Sequence, residues 1–144
     1  MHFTNANFLA ILVAAVAAWI FGAAYYGALG KQWIAALGRT MDDFKKEQAA
    51  KVGMLSAQAP FILSFVAELI MAYVFYGLLV HMNMFTLRAG MISGAIVWFG
   101  FVLTTIATNN AYPGRKVALT VIDSGHWLGV LLIIGAVVGW MGPR

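Results

Sequence analysis

The chain has 144 residues, 62% of them hydrophobic and only 10% charged, with a formal net charge of +4 and no cysteine. A soluble domain is nearer half apolar and a quarter charged, so this balance places the chain in the membrane class. Without cysteine there is no disulfide framework, thiolate metal site or thiol nucleophile, and basic residues confined to segments between apolar runs speak against nucleic acid and for lipid headgroups.

The first span is predicted at about 8–29, FLAILVAAVAAWIFGAAYYGAL. No Lys or Arg precedes it and the run is too long for a signal-peptide core, so it reads as a retained span. Its alanines and Gly22 allow close helix approach, and Tyr25 and Tyr26 suit a headgroup boundary. Gly30-Lys31-Gln32-Trp33 marks its exit. Between residues 31 and 59 lies the one long polar segment. Thr40 followed by Asp43 has the spacing of a capping box, and Asp42 adds negative charge to the first turn. Phe44, Gln48, Val52 and Leu55 share a face away from Lys45, Lys46 and Lys51. An amphipathic helix over about 41–58 follows, lying on the membrane surface, with docking to a partner as the competing reading.

The second span is predicted at 60–80, PFILSFVAELIMAYVFYGLLV, with Pro60 in the first helical position and Glu68 as its single acidic residue. After a short turn a third span covers about 89–108 and ends in Thr104, Thr105 and Thr108, with Gly90, Gly94 and Gly100 as packing points. A Pro113-Gly114 turn leads to the fourth span, about 117–141. It holds Asp123 and His126 in its first half and two small-xxx-small pairs, Gly125/Gly129 and Gly135/Gly139. The fold expected is a four-helix transmembrane bundle, one all-α membrane domain.

Lys31, Arg39, Lys45, Lys46, Lys51, Arg115 and Lys116 fall on one side of such a bundle and only Arg88 and Arg144 on the other. This asymmetry puts the amphipathic segment in the cytoplasm and both termini outside. It also gives the polar residues a common depth. At about 1.5 Å per residue Glu68 lies about 12 Å in, Asp123 about 9 Å and His126 about 13 Å. Ser64, Thr104, Thr105, Tyr25 and Tyr26 join them in one layer of the cytoplasmic half. Either Glu68 or Asp123 pairs with His126 and ties helices together, or the layer lines a path for protons or a polar solute.

A metal is not expected from at most three candidate ligands without a ligand spacing, since His2 and His81 belong to the opposite side. Asp123, Ser124 and His126 lie too close along one helix to converge as a catalytic triad. No catalytic residue and no cofactor is expected.

The arrangement resembles the small bacterial membrane proteins of the domain of unknown function 1761 family. The residues that carry the resemblance are Asn5 and Asn7, Phe21-Gly22-Ala23-Ala24-Tyr25-Tyr26, Gly30-Lys31-Gln32-Trp33, and Pro60. The glycine-rich 90–101 stretch with Trp98, and the polar residues before an apolar last span, complete it. The resemblance implies a four-span integral membrane protein and no particular activity. The leading functional expectation is a non-enzymatic membrane protein, a homo-oligomer or an accessory subunit of a larger membrane complex. The alternative is a small proton-linked transporter or channel using Glu68, Asp123 and His126.

Overall fold

The computed structural model describes residues 6–51 and 53–143, without the side chains of 54–56. Val52, the Leu55 side chain, His2, Asn5 and Arg144 lie outside the described residues. The elements in chain order are α1 (Phe8–Ala36), α2 (Met41–Ala49), α3 (Met54–Met82) and α4 (Leu87–Val97). A π-helical turn (Trp98–Leu103), α5 (Thr104–Ala111) and α6 (Val117–Met141) complete them. Among the described residues four helices are long and apolar enough to cross a membrane: α1, Ala57–Met82 of α3, the continuous α4–π–α5 rod, and α6. Each exceeds the ~20 residues that a bilayer core needs. The surface is correspondingly apolar: Phe99 and Phe101 are 67% and 72% exposed, as residues facing lipid should be.

The central helix is α6, which packs on α1, α3 and α4, while α3 leans mainly on α1. Lipid offers no hydrophobic drive for helix association, so close approach must come from shape. The sequence supplies it on two faces of α6. One face carries Gly135 and Gly139, which meet the backbone of Gly90 and Thr86, while Gly94 sits over the Leu131 carbonyl. These pairs step together in opposite directions along the two helices, so α4 and α6 run antiparallel in nearly direct backbone contact. The other face carries Gly125 and Gly129, whose missing side chains make room for Tyr25 and Phe21 of α1. On α1 the answering ridge is Ala14, Ala18 and Gly22, all buried and four residues apart. Antiparallel α1 and α6 are held at both ends. Asn7 caps α1 through the Ala10 N–H and donates to the Gly142 carbonyl at 2.9 Å, and Lys116 Nζ reaches the Ala35 carbonyl at 2.9 Å.

Three features depart from the sequence reading. First, α1 runs on through the expected exit to Ala36, where Gly38 in the left-handed region (φ 76°) closes a Schellman turn. Trp33 therefore points back along a helix instead of lying in a loop. Second, the amphipathic helix stops at Ala49. Its Thr40–Asp43 capping box is present in both directions, but Gly53, at φ 93°, breaks the chain before α3. The residues from Met54 onward then belong to the second span's helix. Third, Pro60 consequently lies inside α3, where its missing N–H leaves one backbone bond of the helix unmade.

The π turn also changes which residues of the third span face inward. Trp98 lies on the inner face and donates from its indole to the Ser124 carbonyl at 2.7 Å. In an unbroken α-helix Thr105, seven residues on, would share that face. A π turn inserts about one extra residue. Ile106 and Asn110 take the inner side instead, and Asn110 donates to Thr120 Oγ1 at 3.0 Å.

Candidate functional site

The expected polar layer resolves into two adjoining parts at the α2 end of the bundle. In the first, Asp123 Oδ1 accepts from the Tyr26 hydroxyl at 2.9 Å and from the Trp33 indole at 3.1 Å. Tyr26 and Trp33 are seven residues apart on α1, so two turns of one helix present both donors to one carboxylate on α6. The neighbouring Tyr25 hydroxyl donates to the Ile122 carbonyl at 2.9 Å. Asp123 is therefore committed to holding α1 against α6.

The second part is a cleft of about 260 Å³ between α1 and α3, closed behind by α6. From α1 it is lined by Trp19, Gly22, Ala23, Tyr26 and Trp33, from α3 by Pro60, Phe61, Ser64 and Glu68, and from α6 by His126. Glu68 and His126, 1% and 6% exposed, form its floor, and the exposed Trp19 and Phe61 stand at its mouth. Two atoms on that floor, Glu68 Oε2 and His126 Nδ1, are buried without a hydrogen-bond partner.

His126 is held by shape. Its ring packs among Tyr26 and Trp127, both at 4.9 Å between centroids, with Tyr25 and Phe21 beyond. It is placed by the absence of a side chain at Gly22, where a methyl carbon would stand 2.8 Å from Nε2.

The pairing expected of a helix tie is not formed. Neither Glu68 nor Asp123 forms an ion pair with His126; the ion pair among the described residues is Arg39–Glu47, on the surface at α2. The structure brings Glu68, His126, Ser64 and Tyr26 together in the cleft, with Asp123 and Tyr25 immediately behind. Thr104 and Thr105 are not part of it. Both are exposed, and Thr104 donates back to the Gly100 carbonyl of its own helix at 2.9 Å. The π turn has rotated them out. The glycines Gly22, Gly94, Gly125, Gly129, Gly135 and Gly139 all stand at close contacts, as does Gly90, whereas a side chain at Gly100 would meet nothing within 4 Å.

Sequence reasoning missed Trp19, Trp33 and Phe61 as lining residues. Their signal was present in the spacing. Trp19, Tyr26 and Trp33 recur every seven residues, one stripe along α1, but a stripe of aromatics in a span reads equally as lipid-facing. Trp19 bridges to α3, its indole donating to the Phe61 carbonyl at 3.1 Å and approaching Ser64 Oγ at 3.2 Å. The amphipathic helix is joined to the same site, since Phe44 of α2 meets Trp33 edge to face at 6.1 Å.

Residues 9–139 match the model of a family described as a protein of unknown function, DUF1761, and the chain belongs to that family. Comparison with curated proteins and with solved structures gives no match. With four membrane-length apolar helices among the described residues, the chain is a multi-pass integral membrane protein.

Proposed function

We propose that this DUF1761 protein takes a small solute into the cleft between α1 and α3, with Glu68 as the group that exchanges solute for a proton. The observation that carries this reading is the contrast between the two intramembrane carboxylates. A carboxylate that ties helices should be held by their donors, and Asp123 is, its Oδ1 accepting from both Tyr26 and Trp33. Glu68 Oε2 is not, although the residue is 1% exposed. Burying such a group without a partner is expensive, and it persists where a proton or a ligand supplies the partner. The protein acts without covalent chemistry, as a carrier or solute-binding subunit. Its setting is a bacterial inner membrane, with α2 and the cleft mouth on the cytoplasmic side, where seven of nine basic residues lie.

Because the chain has no cysteine, single cysteines report directly on this. Ser64→Cys should react with a membrane-impermeant methanethiosulfonate from the α2 side of sealed vesicles, while Ile70→Cys, on the exposed apolar face of α3, should not. Equal protection of both positions would end the solute reading and leave the accessory role.

One observation favours self-association alongside this. Thr105, Thr108 and Asn109 are exposed on α5, where hydroxyl and amide groups are better matched by another helix than by lipid. Thr105→Cys should form disulfide-linked dimers in native membranes; monomers alone under oxidation would remove this reading.

A further inference from the structure

The hydrogen-bond donors around the cleft say which class of solute it takes. The Trp19 indole donates to the Phe61 carbonyl and Ser64, the Ser64 hydroxyl to the Phe61 carbonyl, and the Tyr26 hydroxyl and Trp33 indole to Asp123. Apart from His126 and the Glu68 carboxyl when it holds a proton, every lining side chain with a polar hydrogen to give has already given it to the protein. Among the described residues no Lys or Arg lines the cleft. An anion, a sugar or an amide would find few donors to replace its water, and a cleft that strands polar groups rejects them. What the walls do offer is the negative side of the pairing. Glu68 supplies an unpartnered carboxylate oxygen at the floor, and Trp19, Tyr26, Trp33 and Phe61 supply aromatic rings to the walls. Cations are drawn to the faces of such rings, most strongly to Trp, and quaternary ammonium groups are recognised by cages of this kind. A volume of about 260 Å³ lies below the range of about 300–1,000 Å³ that drug-sized ligands occupy.

We infer that the cleft is a site for a small organic cation, an ammonium group carrying apolar or aromatic substituents, held by the Glu68 carboxylate and the rings of Trp19, Tyr26 and Trp33. The inference rests on the solute reading of the cleft and gives it a substrate class. The exchange balances in charge. The protonated Glu68 carboxyl gives up one proton to solvent as one monovalent cation enters, and recovers it as the cation leaves. Transition-metal and divalent cations are disfavoured, because the described residues contain no cluster of three or more His, Asp or Glu side chains that could hold one. The other titratable groups at the cleft are Tyr26 from α1 and His126 from α6, with Asp123 of α6 behind Tyr26. The proton must therefore be assigned by experiment to Glu68.

Titration calorimetry on the full chain in lipid nanodiscs makes the test, with benzyltrimethylammonium as probe and neopentylbenzene as its neutral isostere. Runs in two buffers of different ionisation enthalpy count the protons released. The expected result is saturable binding of the cation, at least about tenfold tighter than the isostere, with about one proton released per site. Glu68→Gln should lose both the preference and the proton. Equal binding of cation and isostere would overturn the inference, and so would proton release that survives Glu68→Gln. Should Glu68→Gln fail to fold, Trp19→Leu decides: it should weaken the cation about tenfold and spare the isostere, and unchanged cation binding refutes the site. The Ser64→Cys labelling separates the two levels. Accessible Ser64→Cys with no cation preference removes the substrate class alone, whereas inaccessible Ser64→Cys removes the cleft with it.

Discussion

A methyl group added at Gly90 tests the packing that holds the fourth span in place. The carbon would collide with the Gly135 carbonyl, lying 2.7 Å from its carbon, and at Gly94 it would stand 2.5 Å from the Leu131 carbonyl oxygen. Both obstacles are backbone, so no rotamer change relieves them and α4 must move off α6. Overpacking of this kind costs about 1–3 kcal/mol, against about 0.5–1 kcal/mol regained when alanine replaces glycine in a helix. Gly90→Ala should therefore lose up to about 2.5 kcal/mol net. Gly100→Ala, in the same rod but with nothing within 4 Å of the new carbon, should be neutral or gain up to about 1 kcal/mol. Reversible unfolding in mixed micelles titrated with a denaturing detergent, followed by circular dichroism, measures both. If Gly100→Ala loses as much as Gly90→Ala, helix propensity rather than contact is being read, and the antiparallel glycine seam is wrong.

The two carboxylates should respond in opposite ways to leucine. Asp123→Leu strands the Tyr26 hydroxyl and the Trp33 indole, each at about 1–3 kcal/mol, whereas Glu68→Leu removes an unpartnered group and should hold or raise stability in the same unfolding assay. A large loss at Glu68 would mean that it is a structural tie after all. Asn7→Ala removes both the α1 cap and the link to Gly142 and should cost about 1 kcal/mol, with faster amide exchange confined to the first turn of α1. Outside the membrane, hydrogen bonds from the Thr40 side chain and backbone hold the Asp43 carboxyl below its usual range. A depressed carboxylate stabilises the folded form above the unfolded value of about 3.9 and loses that effect as pH falls through the lower folded value. The Asp43 carboxyl should accordingly titrate below about 3.9 by NMR, with fraying of α2 setting in only at that lower pH; a normal or raised value contradicts the capping box.

The spans, their number and the helix between the first two were legible because hydropathy and length decide them, and no tertiary contact can override a twenty-residue apolar run. The boundaries were less so. Trp33 looked like an interface marker because Gly30, Lys31 and Gln32 are polar or small, yet helical hydrogen bonding carried α1 two turns further to the Schellman turn at Gly38. The outward turn of Thr104 and Thr105 could not be read at all. A π turn has no fixed sequence signature, and one extra residue moves every later side chain about 100° around the helix.

The same limit applies to the floor of the cleft, and there it bears on function. Two acidic residues on two spans at similar depth look alike in sequence, since depth comes from counting residues and says nothing of direction around the helix. Direction is set by α6. Its Gly125/Gly129 face draws Tyr25 and Phe21 of α1 inward, and this carries Tyr26 and Trp33 to Asp123. Once those donors are consumed, none of them remains for Glu68 across the gap on α3. The packing that gives one carboxylate its donors is thus what leaves the other open, and the unsatisfied group ends in a cleft walled by aromatic rings whose polar hydrogens are already spent. A bundle selected only for stability would have replaced Glu68 with an apolar residue, because in a membrane an unpartnered buried carboxylate has no compensating gain. Its presence at the bottom of a cleft argues that the missing partner is brought in from solution.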